Sequence, residues 1–187
     1  MRATYAVALL AVFLLLMACR SDPVHYHTLT PLFSGNPRLP QPGNDLQIER
    51  VVVPPQVDRS QIVIRQNASE LILLETDWWG ASLAEEVQSA LTLALGSRPD
   101  SDTKMTLRIA VLRFDLVPGH YALLDARWRI RSGQVGSQNM KELVCQSVFQ
   151  TPSGVAVEDL VLAQQANLRN LAAALSEAGR SAASRCP

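Results

Sequence analysis

The first residues set the conditions under which the rest of the chain folds. Met1-Arg2 opens it, an apolar run extends from Ala6 to Leu16, and the run stops at Leu16-Met17-Ala18-Cys19. A short basic start and an apolar stretch of roughly 7–15 residues are the layout of a secretory signal, short of the about 20 residues that cross a bilayer. A small residue followed by cysteine marks a lipoprotein cleavage site. The Cys19 thiol is diacylated, the peptide is cut before it, and the new amino group is acylated. An ordinary signal peptide cut elsewhere, or an uncleaved anchor, is the alternative; Leu16 and Ala18 in their places before the cysteine favour lipidation. Three acyl chains, at ~0.8 kcal/mol per buried methylene, anchor far more firmly than one myristoyl group. Arg20 follows Cys19, where Asp would retain a lipoprotein in the inner membrane, so the periplasmic face of the outer membrane is expected. The division is then 1–18 signal peptide, 19–45 lipidated N-terminus and flexible tether, and 46–187 folded domain.

The folded part has the length of one ordinary domain with a single core. Seventeen Lys and Arg balance seventeen Asp and Glu, so no excess charge points to nucleic acid. With Cys19 consumed by lipid, Cys145 and Cys186 remain. In an oxidising compartment an even pair favours a disulfide tying the C-terminal tail to a strand; two separate thiols, one buried and one on a frayed tail, are the alternative.

The tether contains a Pro-, Gly- and Asn-rich stretch from Ser34 to Asn44, preceded by His25-Tyr26-His27-Thr28-Leu29, whose period-two pattern fits a short strand at the domain edge. Leu46–Val53 reads as a strand ended by Pro54-Pro55, and 61–65 with 70–75 as a hairpin. Ser82-Leu83-Ala84-Glu85 is a capping box. Behind it Leu83, Val87, Ala90, Leu91, Ala94 and Leu95 share one helical face, with Gly96 as the stop. Met105–Val111 alternates as a strand, Val117–His120 is a turn, and Leu124, Ala126, Trp128 and Ile130 alternate with Asp125, Arg127, Arg129 and Arg131. A third antiparallel strand spans Met140–Gln150, and a long helix runs from about Val157 to Ala178. The fold class is therefore α/β: one mixed sheet covered by two amphipathic helices.

Motifs of catalysis are not found: no G-x-S-x-G, no H-E-x-x-H, no P-loop and no glycine fingerprint. His25 and His27 would share one side of a strand, but two ligands make a poor metal site. Asp100 and Asp102 lie in a hydrophilic loop and read as solvated carboxylates. No cofactor is expected. Two features fit contact with a partner. Trp78-Trp79 precede the helix; one ring is expected under it, and the other is a candidate anchor of protein contacts. Arg127, Arg129 and Arg131 form a basic face, either simply solvated or meeting an acidic partner or lipid headgroups.

The order and spacing of these segments resemble the PqiC-type (YmbA-like) auxiliary lipoproteins of ABC-type intermembrane transport systems. The lipobox is followed by Tyr26-x-x-Leu29, then by Val51-Val-Val-Pro54 with Val57-Asp-Arg-Ser-Gln-Ile-Val63. Leu71–Glu75, Trp79 with the Ser82-Leu83 helix start, the Leu107–Phe114 strand and the closing helix complete the match. Trp78-Trp79 and Ala81-Ser82 stand where the family often has an aromatic–basic pair and a proline. The resemblance implies a non-enzymatic, outer-membrane-anchored partner of an MCE-domain protein in a lipid transport system that maintains envelope integrity. It also implies a domain similar to the TolB N-terminal domain and a homo-oligomeric ring. A general envelope lipoprotein without a transport role is the alternative, and a hydrolase with an unrecognised site a more distant one.

Overall fold

The computed structural model describes residues 22–32, 46–96, 103–134, 141–181 and 185–187. Cys19, the Ser34–Asn44 stretch and the loop with Asp100 and Asp102 lie outside the described residues.

A long antiparallel hairpin is the frame. β5 (Thr103–Val117) and β6 (Tyr121–Gln134) are joined at a tight turn where the His120 amide donates to the Val117 carbonyl. Gly119 sits there at φ 73°, a backbone conformation costly for residues bearing a Cβ. β7 (Lys141–Pro152) pairs antiparallel with β6, and β2 (Leu46–Val52) pairs parallel with β5, giving the order β2-β5-β6-β7. Alternation along these strands turns Leu107, Ile109, Ala126, Trp128 and Ile130 into the core.

Two sheets stand where one mixed sheet was expected. The second has the order β1-β4-β3, built from β1 (His25–His27), β4 (Leu71–Trp79) and β3 (Gln61–Arg65), with β1 parallel and β3 antiparallel to β4. A bulge in β5 lets this sheet meet the first. Pairing slips between Val111 and Arg113, leaving Leu112 exposed, so the inward phase changes from Leu107, Ile109 and Val111 to Phe114 and Leu116. Trp79 then lies edge-on to Phe114, ring centroids 6.2 Å apart. Beside them the buried Asp115 carboxylate accepts from Arg65 Nε of β3 at 3.0 Å and from Arg113 at 2.6 Å. A charge this enclosed requires such partners.

Two helices cover the core. α1 (Leu83–Leu95) starts at the capping box: the Ser82 hydroxyl accepts from the Glu85 amide, and the Glu85 carboxylate accepts from the Ser82 amide at 3.1 Å. It packs on β2 and on α2 (Val157–Arg180), which crosses β6 and β7. α2 also buries three amides, Gln164, Gln165 and Asn167. Gln164 donates to the Leu123 carbonyl at 2.9 Å, and Asn167 donates to the Ala122 carbonyl at 3.0 Å and to Gln164 Oε1. Thr151 donates to Asn167 Oδ1, so the polar stripe is bonded to the sheet and not orphaned within it.

The folded body also takes in a segment assigned from sequence to the tether. The His27 carbonyl accepts from the Gly80 amide at 2.9 Å, and His27 Nε2 lies 2.8 Å from Asp77 Oδ1. Thr28 Oγ1 and the Leu29 amide both donate to the buried Glu86 carboxylate at 2.8 Å, and Gln165 donates to the Thr28 carbonyl at 3.0 Å. Leu29 itself is fully buried in the common core. The boundary drawn at residue 46 is thus too late: a segment this short docks through backbone partners and one leucine, a signal that local composition does not carry. Gly80 permits the approach, because a Cβ there would stand 3.1 Å from Glu86 Oε1.

Leu29→Ala should cost ~2–5 kcal/mol, the usual range for truncating a fully buried leucine. Urea unfolding at neutral pH checks the loss, and amide exchange should rise first at residues 25–30.

Candidate functional site

The residues singled out from sequence fall at three places: a corner beside the N-terminal strand, the outer face of the larger sheet, and a covalent link to the C-terminal tail. Trp78 and Trp79 end strand β4 itself, not the turn after it. Neighbours on a strand point to opposite faces, and the two indoles divide accordingly. Trp79 is 2% exposed, inside the core. That burial removes it as a contact residue. Trp78 faces outward and pairs in register with Tyr26 of β1; their rings meet edge-on, centroids 6.4 Å apart. Its indole N–H donates to the Glu75 carbonyl at 2.9 Å, which fixes the ring. Tyr26, the exposed partner, was missed as a contact residue; its place in an alternating aromatic and His segment was the available signal.

The outer face of the four-stranded sheet is not simply basic. Glu142 of β7 lies 3.3 Å from Arg129 Nε and 2.9 Å from Arg131 Nε. Arg108 of β5 stands opposite Arg129 and donates through Nε to Glu49 of β2 at 2.8 Å. Arg127 is flanked by Ala110 and Gln146, and Gln146 in turn donates to Asp125. The result is a lattice of alternating charges. The Arg131 hydrogen bond, reinforced by the positive charges of Arg129 and Arg131, holds the Glu142 carboxyl below the usual carboxylate range. The Arg108 hydrogen bond does the same to Glu49, and Glu49 raises Arg108 in return. Exposed Val144 and Val148 of β7 stand among these charges.

Cys145 of β7 and Cys186 of the tail are joined in the structure, their Cα atoms 5.8 Å apart. The link places Cys186 beside β7, its Sγ 3.7 Å from the Val144 carbonyl.

His25 and His27 share one strand, and His27 is engaged with Asp77; among the described residues no group of three His, Cys, Asp or Glu could hold a metal. A shallow groove between α1 and α2, of about 390 Å³, is lined by Leu93, Ala94, Leu168 and Ala172, with Arg169 as its one charged side chain. A second groove contains Glu85, whose carboxylate is already held by Ser82. No described helix is long and apolar enough to cross a membrane.

The sequence profile of the ABC-type transport auxiliary lipoprotein component family matches residues 27–176, and the chain belongs to this family. Among solved structures, an uncharacterized protein shares the fold with a TM-score of 0.63 at 14% identity, covering 83% of this chain and 98% of that one. A Xanthomonas campestris protein of family DUF330 does so with a TM-score of 0.58 at 16% identity, covering 86% and 100%. At these identities the likeness shows the fold alone. No curated protein matches the chain by sequence.

Trp79→Ala should cost ~3–5 kcal/mol, whereas half-buried Trp78→Ala should cost less, losing the edge contact with Tyr26, ~0.5–1.5 kcal/mol, and the indole bond to the Glu75 carbonyl; paired chemical unfolding curves separate the two. The carboxylates of the outer face give a pH signature. A folded-state value below the ordinary 4.5 stabilises the fold above that pH, and the gain is lost as pH falls through the lowered value. Glu142→Gln should therefore lower the melting temperature at neutral pH and leave it unchanged once the medium is acidic enough to protonate the wild-type group. Added salt should shrink the neutral-pH difference.

Proposed function

We propose that this protein is a non-catalytic lipoprotein of the periplasmic face of the outer membrane, anchored through Cys19, that serves an MCE-type intermembrane lipid transport system and so supports envelope integrity. The observation that carries this reading is the adjacency of two signals. A lipidation motif ends at Cys19, and the match to the transport auxiliary family begins at residue 27, with Arg20 in the position that governs sorting. Anchoring confines the domain to one surface and raises its effective concentration for a partner spanning the periplasm. Folding in an oxidising compartment agrees with a bond between Cys145 and Cys186, which closes a separation of 41 residues.

The MCE-domain subunit is the proposed partner. Arg127, with the paired Arg129 and Arg131 behind it, is the part of the sheet face best placed to meet an acidic patch, since rim charges steer encounter and set its salt dependence. A homo-oligomeric ring would present this face several times over.

The test is made in cells. Cys19→Ser should abolish incorporation of labelled fatty acid and shift the protein from the membrane to the soluble periplasmic fraction. Native membranes solubilised in mild detergent should yield an MCE protein with the wild-type chain. Unchanged labelling and fractionation would refute the anchor. Recovery without an MCE protein, alongside other envelope proteins, would replace the transport role with a general one in envelope assembly.

A further inference from the structure

We propose that the Tyr26–Trp78 corner seats in the headgroup region of the membrane that holds the lipid anchor, so that the domain lies on the bilayer in a fixed orientation. This rests on acylation of Cys19, as proposed above.

The length of chain outside the fold is the first support. Asp22, where the described chain begins, is three residues beyond Cys19, and Tyr26 is seven beyond it. A residue spans at most ~3.6 Å, so Asp22 stays within about 11 Å of the anchored cysteine and Tyr26 within about 25 Å. Strand β1 then removes the remaining freedom, because His27, Thr28 and Leu29 are bonded to β4, α1 and α2. The short leash therefore keeps this corner within about 25 Å of the anchored cysteine.

The chemistry of that corner suits an interface between water and hydrocarbon. Tyr26 is 69% exposed, and Val24 beside it is exposed as well. The Trp78 indole N–H is already satisfied by the Glu75 carbonyl, so its ring can leave water without an orphaned donor. Tyr26 offers an apolar body with a polar end, the pattern of the aromatic belts at bilayer surfaces. Arg59 is exposed beside Ser60, whose carbonyl accepts from the Trp79 amide, with Asp58 exposed next to it.

Size decides between lipid and protein as the occupant. Two aromatic rings bury about 150–250 Å² each at most, well short of the ~800 Å² that each partner contributes to a stable protein complex. β1, at three residues, is also too short to template a partner strand. A surface to which the chain is already tethered needs no such area, because tethering makes the second contact intramolecular.

The three tryptophans make this measurable. Trp79 and Trp128 are 2% and 1% exposed, which leaves Trp78, half-buried beside exposed Tyr26, as the reporter. The acylated mature protein is reconstituted into vesicles of phosphatidylethanolamine and phosphatidylglycerol, with and without brominated acyl chains, and its tryptophan emission is recorded. Mass spectrometry and vesicle flotation report the anchor separately. The expected result is a loss of up to about one third of the emission with brominated lipid, the share of one indole among three. Trp78→Phe should abolish this loss and Tyr26→Ser should at least halve it, with flotation unchanged in both. Protein that is acylated and floats but shows no quenching, or equal quenching in Trp78→Phe, overturns the proposal while leaving the anchor intact. Protein that carries no acyl mass overturns both. An unquenched Trp78 whose replacement dissociates an oligomer would assign the corner to subunit contact, against the proposal.

Discussion

A buried carboxylate fastens residues 28 and 29 to the core. Glu86 sits in the first turn of α1, where the free amides of the helix favour negative charge. It accepts from the Thr28 hydroxyl and the Leu29 amide, and so places Leu29 between the helices. An ionised group in such a position is costly unless donors surround it; here the donors come from the segment that would otherwise be loose. β1, the edge strand of the second sheet, leads directly into these held residues. Gly80 completes the arrangement by leaving room for the carboxylate.

Much of the architecture is legible from periodicity. The helix after Ser82 is announced by its capping box and apolar stripe, and β6 by strict alternation of Leu124, Ala126, Trp128 and Ile130 with charged neighbours. Local rules stop where packing between distant elements takes over. The alternation in β5 loses phase at Leu112, and what looks like the end of a strand is a bulge that carries it on to Val117. That shift lets Phe114 and Asp115 meet the other sheet, so the division into two sheets is hidden in one broken repeat. Gln164 and Asn167 look like breaks in the apolar face of α2, yet they bind strand carbonyls in the interior.

The contact residues show the same limit. Adjacent tryptophans at a strand end had to diverge, but which ring faced the core depended on the position of Phe114, 35 residues further on. The arginine stripe was evident in sequence, whereas its partners, Glu142 on the next strand and Glu49 paired with neighbouring Arg108, were set by register. A row of like charges in sequence became a mixed surface in space. Such a surface gives orientation and selectivity to an encounter more than raw affinity.

The parallel pairing of β1 with β4 has a mechanical consequence. Any protein held to a membrane at one end and to a moving or spanning assembly at the other is stretched between them. Tension entering at the N-terminus passes through three residues of β1 and then through the bonds at His27, Thr28 and Leu29. A pull along the strand axis loads these bonds together, in shear, with Leu29 as a plug that must leave the core before any of them is free. The domain would resist such a pull as a unit, and yield at its N-terminal edge while the hairpin of β5 and β6 stays intact.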